Sequence, residues 1–121
     1  MIHIIDDEML IRELLSKAVS HMGKQAQSFD SATRYLQYMQ EEAYIQPSII
    51  LSDINMPEMT GCALAPLVKQ QYPDTTFALM TGNPEQCTPH CCHGQKNDAL
   101  IDRTFYKPFN LKELSEFIHN N

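Results

Sequence analysis

Short apolar runs recur along the chain, and between them the apolar positions change to a helical spacing. Ile2-His3-Ile4-Ile5 opens the chain as a β-branched strand and ends at Asp6-Asp7-Glu8. From Glu8 to Met22 the spacing is helical, with Ile11, Leu14, Leu15, Ala18 and Met22 on one face and Gly23 as the stop. Lys24 to Phe29 is a weaker strand, poor in β-formers and assigned from its context. Asp30 or Ser31 then caps a second helix, with Ala32, Tyr35, Leu36 and Met39 on its apolar stripe. Glu41 to Pro47 reads as a loop. Ile49 to Asp53 follows as an apolar run that ends in a single carboxylate, the pattern of a strand buried on both faces.

After the loop Met56-Pro57 to Gly61, a third helix carries Leu64, Leu67 and Val68 and ends at Tyr72-Pro73-Asp74. Pro66 fits only a first turn, so regular helix is expected to begin after Cys62. Thr75 to Thr81 is a fourth strand, left by the turn Gly82-Asn83-Pro84. Residues 84–103 are the least legible stretch, because Pro84, Pro89 and Gly94 interrupt any helix there. Thr104 to Tyr106 is a short fifth strand ending at Lys107-Pro108. Asn110 with Glu113 three residues on forms a capping-box pattern, and Leu111, Leu114, Phe117 and Ile118 give the last helix its buried face.

Strands alternating with helices predict an α/β fold, a doubly wound parallel sheet covered on both sides. Right-handed crossovers place all the strand C-termini on one edge, where such sheets collect their chemistry. Asp6-Asp7, Asp53, Thr81 and Lys107 each end a different predicted strand, so four distant segments are expected to converge.

Composition narrows the function classes. The 121 residues suit one domain, and 43% hydrophobic with 20% charged residues is an ordinary globular composition. A net charge of -6 without a basic cluster argues against direct nucleic-acid binding by this domain. No apolar run approaches the roughly 20 residues of a membrane span, and nothing after Met1 resembles a signal peptide, so a cytoplasmic protein with no membrane partner is expected. Cys62, Cys87, Cys91 and Cys92 are not spread like a secreted disulfide framework, and reduced thiols are expected. Cys87-Thr88-Pro89-His90-Cys91-Cys92-His93 crowds soft ligands into one stretch. A Zn²⁺ or redox site is one reading, but adjacent cysteines and the want of a second ligand arm favour a loop with incidental thiols.

Three carboxylates close together are costly unless a cation neutralises them. Mg²⁺ prefers one or two carboxylates, a carbonyl and retained waters, so Asp7 and Asp53 would ligate directly and Asp6 through water. A hydroxyl at Thr81 and an ammonium at Lys107 then suit a transferring phosphoryl group, with Asp53 as the nucleophile. Each residue alone has a blander reading as a cap, a turn residue or a surface charge. Their joint placement outweighs those readings.

These motifs carry a resemblance. From end to end the chain resembles the receiver domain of two-component response regulators, through Asp6-Asp7, Asp53 with Met56-Pro57 and Gly61, Thr81-Gly82, and Lys107-Pro108-Phe109. The resemblance implies a five-stranded (βα)5 domain of flavodoxin-like receiver fold over residues 1–121, here with a fourth helix that is short or irregular. It also implies that Asp53 accepts phosphate from a histidine kinase or a histidine phosphotransfer protein. Mg²⁺ would be held by Asp6, Asp7, Asp53 and the backbone carbonyl of Asn55, while Thr81 and Lys107 meet the phosphoryl group. The Lys107–Pro108 peptide is often cis in that family, and the Asn55 side chain sits where hydrolysis is tuned. The switched surface would then select an output domain or a target protein. Where the family places an aromatic three residues before its lysine, this chain has Thr104, so switching is expected through the fourth-helix region and not through an aromatic rotamer. A phosphatase of the haloacid-dehalogenase type is the alternative, but it needs a second Asp where Asn55 stands, and an amide cannot protonate a leaving group. A scaffold that has lost phosphorylation is a lesser alternative. The start at Met1 looks natural, and both a stand-alone regulator and the first part of a longer one fit the end at residue 121.

Overall fold

All five predicted strands form in the computed structural model, the last as Arg103–Tyr106, and the structure describes residues 1–82, 101–107 and 110–121. The described elements are β1 (Ile2–Ile5), α1 (Met9–His21), β2 (Ala26–Phe29), α2 (Ala32–Met39), β3 (Ile49–Asp53), α3 (Gly61–Gln71), β4 (Thr76–Thr81), β5 (Arg103–Tyr106) and α4 (Leu111–Asn120). The strands form one parallel sheet in the order β2-β1-β3-β4-β5. The expected short or irregular helix before β5, the Cys87–His93 cluster and the Lys107–Pro108 peptide lie outside the described residues.

Every residue of β1 and β3 is buried, as a sheet covered on both faces requires. Ile5, Ile50, Phe77 and Leu79 face α2 and α3, whereas Ile4, Leu51, Ala78 and Met80 face α1 and α4. Each fully buried Ile, Leu or Phe contributes about 1.5–3 kcal/mol, so these two clusters set the position of the strand ends.

Helix details correct several expectations. The buried stripe of α1 runs through Leu15 and Val19, flanked by Ile11 and Met22, and Leu14 is 47% exposed because it lies beside that stripe. Gly23 stops the helix with φ 79°, the left-handed cap position. α3 begins at Gly61, earlier than Pro66 led us to expect. Thr60 starts it by accepting from the Ala63 and Leu64 amides, both at 3.1 Å, and Pro66 in the second turn removes one intrahelical bond. Leu67 and Leu111 are exposed, while Leu114, Phe117 and Ile118 are buried as expected. The Asn110 side chain caps α4, accepting from Lys112 and Glu113 amides at 2.9 and 3.2 Å. Cys62 is disulfide-bonded, against the expectation of reduced thiols; the other three cysteines lie outside the described residues.

One buried histidine stands out. His3 on β1 is fully buried among Phe29, Tyr35, Tyr38 and Tyr44. Its Nδ1 lies 2.8 Å from the Tyr35 hydroxyl, which lies 2.7 Å from that of Tyr44. Nε2 has no hydrogen-bond partner among the described residues, and burial pushes the imidazole pKa down to about 4.

Candidate functional site

The C-terminal ends of β1, β3, β4 and β5 meet on one edge of the sheet. Asp6 follows β1, Asp53 ends β3, Thr81 ends β4 and Lys107 follows β5. Asp6 is fully buried and Asp53 is 6% exposed, whereas Asp7 is exposed. One carboxylate oxygen from each of the three lies within 4.8 Å of the others. The Lys107 ammonium reaches into this group, 3.3 Å from Asp6 and 3.4 Å from Asp53.

Backbone bonds fix these side chains. The Asp6 amide donates to the Phe29 carbonyl at 3.1 Å, its carboxylate accepts from the Glu8 amide at 2.9 Å, and its carbonyl accepts from the Arg12 guanidinium at 2.7 Å. The Lys107 amide donates to the Thr81 carbonyl at 2.7 Å, which ties the lysine to the end of β4. Beside Asp53, the Ile54 amide donates to Met80 at 3.1 Å and the Ser52 hydroxyl to the Asp53 carbonyl at 3.0 Å. Arg12 and Ser52 did not emerge from the sequence. Arg12, one turn into the helix after the acidic pair, carried a usable signal; Ser52, hidden in an apolar strand, carried none.

The loop after Asp53 is built for close approach. Gly61 lies against the Asp53 carbonyl, so a Cβ there would strike that oxygen and come within 2.9 Å of both Leu79 and Ser52. Glu58 has φ 71°, and the Met59 amide bonds back to the Pro57 carbonyl at 2.8 Å. This is a γ-turn of the rarer hand, strained for a residue with a side chain. Asn55 is exposed in the same loop.

Burial, together with the charge of Asp6, pushes the Asp53 pKa up to about 6. Burial also raises that of Asp6. For Lys107 burial pulls downward, but the two carboxylates outweigh it and the net shift is upward. Three carboxylates face one ammonium, and the oxygen-only donor set suits a hard divalent cation such as Mg²⁺. Of the residues expected at the site, Asp6, Asp7, Asp53 and Lys107 are brought together directly. Thr81 is buried at the adjoining strand end, and Asn55 lies in the adjoining loop. Tyr106, on the strand side shared with Thr104, is 50% exposed, while Phe105 is plain core against Phe117.

Known proteins are similar to this chain in sequence and in fold. The model of the response regulator receiver domain matches residues 2–119. The chain is 34% identical over 82 residues to the DNA-binding transcriptional regulator NtrC of Proteus hauseri, covering 68% of this chain and 17% of that protein. It is 31% identical over 117 residues to the response regulator receiver protein CpdR of Brucella abortus, covering 92% of this chain and 87% of CpdR. Among solved structures, the signal receiver domain of an HD domain-containing protein from Pseudomonas fluorescens superposes with a TM-score of 0.83 at 27% identity, over 98% of this chain and 83% of that one. The response regulator TrrA from Thermotoga maritima, solved in complex with Mg²⁺ and BeF, gives 0.81 at 24% identity over 98% and 96%, a likeness of fold. Sheet order, strand-end chemistry and these relatives agree, and the chain belongs to the response regulator receiver domain family of two-component signalling.

Proposed function

We propose that Asp53 is the phosphoacceptor of this domain and takes its phosphoryl group from a histidine kinase or a histidine phosphotransfer protein. One observation carries the reading: a buried carboxylate lies within 4.8 Å of two others and 3.4 Å from a lysine ammonium, at the end of the central strand. An Asp53 oxygen attacks phosphorus, the P–N bond of the phosphohistidine breaks, and its electron pair returns to the imidazole. The product is an acyl phosphate on Asp53. Mg²⁺ held by Asp6, Asp7, Asp53 and the Asn55 carbonyl would neutralise carboxylate and phosphoryl oxygens. Lys107, which bridges Asp6 and Asp53, would follow the charge as it moves onto the phosphoryl group. The Thr81 hydroxyl would bond the phosphoryl group in the switched state. These same groups assist phosphorylation and later hydrolysis, with Asn55 tuning the second.

The donor would seat beside Asp7, where Met9 and Leu10 at the start of α1 are 60% and 74% exposed. Such an apolar rim beside polar chemistry is a protein-docking feature. Downstream, the phosphorylated surface would act on an output domain or a separate target in the cytoplasm. No described helix is long and apolar enough to cross a membrane. Asn55, exposed two residues after Asp53, has no acidic proton to give, which disfavours the phosphatase reading.

Intact mass spectrometry after incubation with acetyl phosphate and Mg²⁺ tests the assignment. The wild type should gain one phosphoryl group and Asp53→Asn none, with the fold unchanged by circular dichroism. A label that persists in Asp53→Asn would move the acceptor elsewhere.

A further inference from the structure

β1 ends in a hydrogen-bond ladder that its neighbour does not complete. The Asp6 amide donates to the Phe29 carbonyl at 3.1 Å, continuing the parallel pairing of β1 with β2. In such a ladder the carbonyl of the same residue accepts from the neighbouring strand two residues further on, here from the Ser31 amide. But β2 stops at Phe29, and Ser31 is already the N-cap of α2. The Asp6 carbonyl accepts instead from the Arg12 guanidinium, at 2.7 Å. Arg12 lies one turn into α1, where a long side chain leans back toward the start of its helix.

Arg12 makes this bond beside a cluster of carboxylates. It is half-buried and forms no ion pair among the described residues. Its guanidinium therefore acts on the backbone, where it fixes the peptide that joins Asp6 to Asp7. The other two carboxylates have holds of their own. Asp6 accepts from the Glu8 amide and from Lys107, and Asp53 accepts from Lys107. The Asp7 carboxylate has no protein hydrogen bond or ion pair among the described residues. Its place within 4.8 Å of the other two is thus set by its backbone alone.

We propose that Arg12 is a positioning residue for the divalent cation: by clamping the Asp6–Asp7 peptide it holds the Asp7 carboxylate toward Asp6 and Asp53. The inference rests on the reading of these three carboxylates as the cation site. Loss of an outer group that orients a metal ligand typically costs about ten- to a hundredfold in affinity. Charge alone predicts the opposite sign. A guanidinium near the site repels a dication, so removing only its charge tightens binding. The direction of the change separates the two roles.

Arg12→Gln removes the charge and is too short to reach the carbonyl, and glutamine is a good helix former, so the fold is kept. Calorimetric titration of the full chain with magnesium chloride at neutral pH should show a Kd raised about ten- to a hundredfold. In the metal-free variant the Asp6 carbonyl carbon, read by NMR through the Asp7 amide, should lose its hydrogen-bonded shift. Arg34→Ala removes an exposed cation that lines the same groove as Arg12, and should leave the Kd within about twofold. A lower or unchanged Kd in Arg12→Gln overturns the proposal, whatever happens to metal-free stability, and so does an equal loss in Arg34→Ala. Asp7→Ala distinguishes failure of the clamp from failure of the site. If Asp7→Ala loses affinity while Arg12→Gln keeps it, the clamp is refuted and the cation site stands; a wild type that binds no Mg²⁺ overturns both.

Discussion

At the scale of single residues, two buried groups give the stability of this protein opposite responses to acid. Asp53 has its folded pKa raised to about 6 from 3.8, so between those values the folded chain holds an extra proton. Its contribution is fully present below about pH 4 and is lost as pH rises through 6. His3 is the reverse, with a folded pKa lowered to about 4 from 6.5. Its contribution is present above pH 6.5 and is lost as pH falls toward 4, because the protonated ring finds no acceptor at Nε2 among the described residues. Metal-free Asp53→Asn should therefore gain stability at pH 7.5, by roughly 3–6 °C in Tm, and little at pH 4.5. His3→Phe should flatten the acid limb between pH 6.5 and 4.5. Thermal melts of both variants across that range check the signs; a D53N gain that is larger at pH 4.5 than at 7.5 would refute the first. Asp53 was legible from sequence because a carboxylate ends an apolar strand. The environment of His3 was not, since Tyr35 and Tyr44 reach it only through the tertiary fold.

At the scale of elements, the loop between β3 and α3 stores strain to hold its shape. Glu58 at φ 71° should relax on substitution by glycine, which adopts positive φ without steric cost. We expect Glu58→Gly to stabilise by about 1 kcal/mol, after the entropy that glycine returns to the unfolded chain. Gly61→Ala should destabilise by about 1–3 kcal/mol, because the new Cβ meets the Asp53 carbonyl, which cannot swing away like a side chain. Urea unfolding of the two variants measures both; equal midpoints would show a loop that adjusts freely. The pattern of apolar positions located the elements well wherever burial was two-sided, as in β1, β3 and β4. On α1 it placed Ile11, Leu15 and Met22 correctly but included Leu14, which is apolar yet lies outside the buried stripe, and left out Val19. It also delayed α3, because the Thr60 cap supports a helix start that tolerates Pro66. Residues 84–103 carried too many breakers for any pattern to settle.

At the scale of the whole molecule, the acidic site sets a balance between stability and readiness for its cation. Asp6 and Asp7 lie between β1 and α1, and Asp53 ends β3, so a cation that binds all three joins two neighbouring strand ends. The unfolded chain has no such cluster, and binding therefore appears as stability. Mg²⁺ at ten times its Kd should add about 1.4 kcal/mol, or roughly 3–6 °C in Tm at pH 7.5. Asp7→Ala should move the titration midpoint to much higher Mg²⁺ without removing the buried carboxylates. The gain should also shrink as pH falls through 6, because a proton on Asp53 competes with the cation there. A Mg²⁺ titration of Tm at pH 5.5 and 7.5, for wild type and Asp7→Ala, separates the outcomes. Stabilisation that is independent of pH and of Asp7 would place the cation away from Asp53, and would detach the proposed phosphoacceptor from its metal. Stabilisation that depends on both would tie the proton and the cation to the same carboxylate, the one on which the proposed signalling chemistry rests.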